Sequence, residues 1–500
     1  MTDYSANAIY YLEHQMYSFS MILNTITLQT PYLSLDSEFY DLVDPTPLDE
    51  PYLISFNPDA AKLIDLDSNS CDDPDFIGML NGTFTPEGSR PFAMCYAGHQ
   101  FGNYNHWLGD GRTINLGRVQ GWNLQLKGSG ETLYSRMADG RAAQRSSIRE
   151  YLMSESMHHL GIPTTRALGI IGSKTKIIRN RVEEASIVMR MSTSWVRFGT
   201  FEYFFYSGKH SKLEALAEYV ITESYSHLQN DDDRFFKMFC EVVERTARLI
   251  AQWQAIGFNH GVMNTDNMSI EGLTIDYGPF AMMDDFRYGY VCNHTDRAGR
   301  YAYGEQPNVS YWNLTMLSKA LSPIIDKDRM QKKLDDFGAF LYPDAYVDVM
   351  RDKLGLEMKL DGDVDLITDL VVALHDIYVD HTLFYRTLSR YDGINKSTMY
   401  DIVMEPVILD KWLTQYDERL AQETRTQSQR QEAMLKTNPK YVLKNYMLQE
   451  AIEKADRGDY TMVETLLFIA AHPYDELPEF ERFAGDTPEE HKNLGLSCSS

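Results

Sequence analysis

The sequence predicts an α+β protein built as two lobes, strand-rich first and helix-rich second. Between about residues 91 and 205, short apolar–polar alternations are separated by glycine-rich turns, the pattern of half-buried strands. After about residue 206, apolar residues recur at helical spacing over long stretches. Such a segregated order gives α+β packing, and ligands commonly bind in the cleft between two such parts.

Residues 1 to about 90 are rich in Asp, Pro, Asn and Ser and read as an extension packed on the body. "TINLGRV" and "WNLQLKG" follow as strands. In the second, Trp122, Leu124 and Leu126 face one way, and Asn123, Gln125 and Lys127 the other. "AAQRSSIREYLMSESMHHLG" reads as a helix ended by Gly161 and Pro163. "ALGIIGSKTKIIRN" and "EEASIVMRMS" predict a hairpin with a long connection. "RFFKMFCEVVERTARLIAQWQAIG" places Phe235, Phe239, Val242, Val243, Leu249, Ile250 and Trp253 near one helix face and stops at Gly257. "VDLITDLVVALHDIYVDHTLFYRTL" and "YVLKNYMLQEAIEKADRGDYTMVETLLFIA" are also helical in pattern. The expected division is 1–90 N-terminal extension, 91–205 N-lobe, 206–430 helical C-lobe, and 431–500 C-terminal helices and tail.

Composition narrows the function. The 500 residues carry a formal charge of -25, with 43% hydrophobic and 12% aromatic content. That is a folded globular chain and argues against a nucleic-acid binder. The five cysteines are scattered, without Cys-x-x-Cys spacing, which fits neither a disulfide framework nor a zinc site. No apolar run approaches 18 residues, so no membrane span is expected. The first lysine is Lys62 and the first arginine Arg90. No basic leader is therefore evident, and a cytoplasmic location is expected.

The chemistry concentrates in "HGVMNTDNMSIEGLTIDYG", residues 260–278. Kinase catalytic loops run His-x-Asp, four residues, Asn, with a metal-binding Asp-x-Gly further on. His260, Asn267 and Asp276-Tyr277-Gly278 fit, but the position of the catalytic Asp holds Val262. Asn267 and Asp276 are hard oxygen donors suited to Mg²⁺ or Mn²⁺, and Asp266 is placed to accept a proton. Upstream, Lys127 on its strand and Glu150 on the following helix match the lysine–glutamate pair that kinases use on phosphates. Gly109, Gly111 and Arg112 form a turn that lets backbone approach phosphate. Asp139, Gly140 and Arg141 repeat the Asp-Gly-Arg triplet, and Arg190 and Arg197 suit a clamp on polyphosphate. Each fragment alone also fits an ordinary turn or surface charge. Their order resembles that of a protein-kinase active site, and the expectation is a protein-kinase-like two-lobed fold with an N-terminal extension and a helical C-terminal region.

"YAGHQFGNYNHWLGDGR", "LQLKGSGETLYSRMADGRAAQRSSIREYL", "HGVMNTDNMSI" and "DYGPFAMMD" resemble the selenoprotein O family of protein adenylyltransferases, from about Pro91 to Trp312. The resemblance implies a kinase-like fold that binds ATP in reversed orientation and transfers AMP to Ser, Thr or Tyr hydroxyls of proteins. It implies Asp266 as proton acceptor, Asn267 and Asp276 as metal ligands, and Gly109, Gly111, Arg112, Lys127, Asp139, Gly140, Arg190, Arg197 and Asp276 on the nucleotide. Glu150 matches the lysine's partner. Some members carry selenocysteine near the terminus; here Cys498 stands there, and a regulatory Cys292–Cys498 disulfide is the redox expectation. A conventional kinase and a non-catalytic nucleotide-binding scaffold are the alternatives. The target proteins, the oligomeric state and the role of the C-terminal helices are not written in the residues.

Overall fold

The computed structural model describes residues 23–492 and 494–496. The start of the N-terminal extension and Cys498 lie outside the described residues.

The strands are β1 (Tyr40–Leu42), β2 (Tyr52–Phe56), β3 (Phe92–Met94), β4 (Gly98–Gln100), β5 (Asn103–Asn105), β6 (Thr113–Val119), β7 (Trp122–Lys127), β8 (Ala142–Ala143), β9 (Arg166–Ile178), β10 (Val182–Ser192), β11 (Phe258–Asn259) and β12 (Ala281–Met282). An eight-stranded sheet runs β1-β3-β6-β7-β10-β9-β2, with β8 alongside β10, and every pairing is antiparallel. Strands β1 and β2, both from residues 40–56, thus supply both edges of the sheet. Two short pairs, β4–β5 and β11–β12, stand apart.

The expected long connection between β9 and β10 is only residues 179–181, because both strands run on to a tight turn. Register places Gln125 opposite Arg190 and Lys127 opposite Val188. Gln125, Lys127 and Arg190 therefore share one face. On the other face Leu124, Leu126, Ile187, Met189 and Met191 are buried in an apolar cluster with Leu80 and Phe76.

The helix Gln144–His159 lies between the sheet and the helices Asn445–Ala455 and Thr461–Ala471. Covered on both sides, it buries polar residues as well as apolar ones, and each buried charge has a partner. Arg149 donates to the Phe280 carbonyl at 2.9 Å and to Asn445 at 3.2 Å. Glu155 pairs with Arg166 at 2.7 Å.

The helix Arg234–Ile256 buries Phe239, Val242, Val243, Leu249, Ile250 and Trp253, leaves Phe235 in its first turn only partly buried, and ends at Gly257, φ 77°. Only a residue tolerant of left-handed backbone ends a helix this way. The two helical stretches read from sequence are each two helices. The first breaks into Asp363–Ile377 and His381–Leu388 around Tyr378, φ 51°, with Asp380 capping the second half. The second breaks at residues 456–460. Among the described residues, no helix is long and apolar enough to cross a membrane.

Candidate active site

A cleft of about 630 Å³ opens between the polar face of the sheet and the segment 262–279. It collects Gly109, Gly111, Arg112, Lys127, Asp139, Gly140, Arg190, Arg197, Asp266, Asn267 and Asp276. Of the candidate nucleotide-binding, metal-holding and catalytic residues, Glu150 alone is not on its wall. It borders an adjoining cavity of about 250 Å³ that shares Lys127 and Arg112 with the main cleft.

The centre is the Asp276 carboxylate. Oδ1 meets Lys127 Nζ at 3.1 Å and Arg190 at 2.5 Å, and Oδ2 accepts from Arg197. Glu150 completes the cluster, with Oε2 on Lys127 at 2.6 Å and Oε1 on Arg190 at 2.8 Å. Burial pushes the Asp276 carboxyl up, but Arg197, Lys127 and Arg190 outweigh it and hold it well below the usual carboxylate range. Burial also lowers the Lys127 ammonium, which Glu150 and Asp276 oppose. Both arginines are fixed by aromatic faces: Arg190 lies 4.6 Å over Trp195, and Arg197 4.6 Å over Tyr96. The buried Nε of each has no hydrogen-bond partner. Asp276 itself has φ 58°, an uncommon backbone state for a residue with a Cβ.

Asp266 lies on the short helical turn Thr265–Asn267. Its backbone carbonyl accepts from Arg197 at 2.8 Å and its Oδ2 from Gln100 at 3.4 Å, while the buried Oδ1 has no partner. Burial pushes its carboxyl up to about 7, against the pull of Arg197. Asn267 donates its amide N–H to the Val262 carbonyl at 2.9 Å, leaving the amide oxygen available to a cation. Val262 lines the cleft where a kinase carries its base. His260 is a strut: its Nε2 is 3.1 Å from the Ile275 carbonyl, its backbone N–H donates to Gln306 at 3.0 Å, and burial keeps the ring neutral.

The two Asp-Gly-Arg triplets play different parts. Asp110 points inward and accepts from the Met94 N–H and the Asn115 amide, each at 3.0 Å, which pins the turn containing Gly109 and Gly111. Gly109 has φ 60°, and a Cβ there would lie 2.3 Å from the Tyr134 ring. Asp139 faces out and pairs with Arg179 at 2.7 Å, while Arg141 donates to the Thr46 and Pro47 carbonyls. Gly140 has φ 63°, and its Cβ would be 2.0 Å from the Gly130 carbonyl oxygen.

Sequence reasoning missed Arg179, Arg136, Gln100, Tyr96 and Tyr134 on the cleft wall. Arg179 sits at the β9–β10 turn, and only the strand register carries it there. Gln100 was within a motif already singled out, "YAGHQFG", without a role. Arg112, Lys127, Arg136, Arg141, Arg179, Arg190 and Arg197 face Asp139, Asp266 and Asp276. In a chain of charge -25 that surplus of cations marks a site for a polyanion.

Among the described residues, no group of three or more His, Cys, Asp or Glu side chains is arranged to hold a metal ion. The oxygens of Asn267 and Asp276 are hard donors. Such a small set suits a divalent cation that takes its remaining ligands from phosphate and water. Cys292 is buried, with its thiol 2.8 Å from Asn259 Oδ1 and from the Pro279 carbonyl.

The family model described as protein adenylyltransferase SelO matches residues 23–470. A protein of Myxococcus xanthus named protein nucleotidyltransferase YdiU is 45% identical over 486 residues, covering 96% of this chain and 99% of that one. Proteins of the same name from Aliivibrio fischeri and Thioalkalivibrio sulfidiphilus are each 44% identical, covering 95% and 94% of this chain and 99% and 98% of theirs.

Proposed function

Because this chain belongs to the protein adenylyltransferase SelO family, we propose that it transfers AMP from ATP to Ser, Thr or Tyr hydroxyls of proteins, with ATP lying in the direction opposite to that in a kinase. The observation that carries this reading is the convergence of Lys127, Arg190 and Arg197 on Asp276 beside a buried Asp266, with Val262 in place of the kinase base. The sheet-bearing and helical parts are read as the two lobes of a kinase-like fold, with ATP between them.

The triphosphate replaces Asp276 as the partner of part of the cationic cluster. Lys127, held by Glu150, and the two stacked arginines neutralise charge on the phosphates. Gly109, Gly111 and Gly140 let backbone come close to the nucleotide, and Arg112 and the Asp139–Arg179 pair border it. Asn267 and Asp276 would hold a divalent cation, Mg²⁺ or Mn²⁺, which would supply charge neutralisation at the phosphates. The acceptor oxygen bonds to the α-phosphorus, the bond from that phosphorus to the bridging oxygen breaks, and pyrophosphate leaves. The hydroxyl proton passes to Asp266, whose carboxyl near neutrality suits a general base.

The same reading keeps a cytoplasmic location and a redox tie between Cys292 and Cys498. Support for the tie comes from the tail: Leu496 pairs beside Asn293, and the His294 N–H donates to the Leu496 carbonyl at 2.9 Å.

ATP labelled at the α or the γ phosphate tests the function. Protein label from the α position is expected. Label from γ only would make this a kinase, and label from neither a binding scaffold.

A further inference from the structure

We infer that Gln100, carried by the β4–β5 hairpin, is a positioning residue for the transfer. The inference rests on Asp266 as proton acceptor and goes beyond that reading by naming what aims its carboxylate.

Three consecutive hairpin residues meet the loop that carries Asp266. The His99 N–H donates to Thr265 Oγ1 at 2.7 Å, the Gln100 amide donates to Asp266 Oδ2 at 3.4 Å, and the Phe101 N–H donates to Asn264 Oδ1 at 3.3 Å. This register is locked from below by a buried carboxylate. Glu202 accepts from Thr265 Oγ1 at 2.6 Å and lies 2.9 Å from His99 Nδ1, with no exposed surface of its own. Glu202 belongs to the helix Phe198–Tyr206, whose N-cap is Arg197. One helix end therefore fixes the arginine on the Asp266 carbonyl, and the next turn fixes the hairpin.

The two oxygens of Asp266 are not equivalent. Oδ1 is buried without a hydrogen bond and packs on Gly98, where a Cβ would come within 2.6 Å. A hydroxyl has no room to reach it. Oδ2 is the oxygen that receives a donor, and the donor it has is Gln100, a cleft-lining residue. The Gln100 carbonyl in turn accepts from the Asn105 amide at 3.4 Å, which fixes which end of the carboxamide faces Asp266. One lone pair of Oδ2 is thus engaged by Gln100, and the acceptor proton has the remaining direction. Beyond Gln100 the hairpin turn leaves Phe101 partly exposed, with its ring against Tyr301.

A residue that aims the proton acceptor affects turnover and not nucleotide binding. For Gln100→Leu, self-modification with α-labelled ATP is expected to show kcat lower by about 10- to 100-fold. The Kd for ATP should stay within about twofold, and the melting temperature should be unchanged. Asn105→Leu is expected to lower kcat in the same direction by less. Because Gln100 acts through Asp266, the Gln100→Leu change should add nothing to Asp266→Asn. An unchanged kcat in Gln100→Leu, a loss that falls equally on ATP affinity, or additive losses in the double variant would each overturn the inference. Full activity in Asp266→Asn alone would instead sink the underlying proton-acceptor reading, so the two failures are told apart.

Discussion

Replacing Asp266 by Asn should make the protein more stable while it removes the activity. Burial pushes this carboxyl from its ordinary value near 3.8 up to about 7. Between those two values the folded chain holds a proton that the unfolded chain has lost. Folding stability therefore falls as pH rises through that window, and the full cost is present above about 7. At about 1.4 kcal/mol per pH unit, the ionised form costs on the order of 4 kcal/mol at pH 8. Asparagine carries no charge, so Asp266→Asn should gain stability at pH 8. Its gain at pH 6 should be smaller by about 1.4 kcal/mol. Denaturant unfolding of both proteins at the two pH values, without divalent cation or nucleotide, measures this. The same variant should lose roughly 10²- to 10⁴-fold in AMP transfer. A gain equal at pH 6 and pH 8, or no gain at pH 8, would refute the claim that a buried charge at this position is what the fold tolerates for function.

The other expectations concern the cationic cluster and its supports. Lys127→Ala removes the cation shared by Glu150 and Asp276, and transfer of α-label should fall by about 100-fold or more with the fold retained by circular dichroism. Arg179→Ala frees Asp139 and removes a cleft cation, so the KM for ATP should rise about 3- to 10-fold with a smaller change in kcat. Gly140→Ala forces a Cβ onto the Gly130 carbonyl at φ 63° and should cost about 2 kcal/mol or more in chemical denaturation.

Periodicity exposed the strands that bear Lys127 and Arg190, because a face packed on Leu124 and Met189 must alternate with one that is not. Motif spacing exposed Asp266, Asn267 and Asp276, because a loop that presents several oxygens within ten residues is compact in sequence as well as in space. Arg179 and Gln100 were hidden for the opposite reason. Each reaches the cleft through a turn whose direction depends on strands far away: β9 and β10 for Arg179, and the anchoring of β4–β5 by Glu202 for Gln100. The short β9–β10 connection was misjudged because polar residues at the strand ends resemble loop residues when no partner strand is in view. The difference between Asp110 and Asp139 was likewise invisible, since identical triplets differ only in which way the carboxylate turns.

The helix that carries Glu150 is covered on its outer side by residues 445–471. A ribosome releases these segments some three hundred residues apart in sequence. During translation the glutamate that braces Lys127 thus waits, uncovered on that side, until nearly the whole polypeptide has been made. A nascent fragment holding every glycine and arginine of the cleft lacks this final cover.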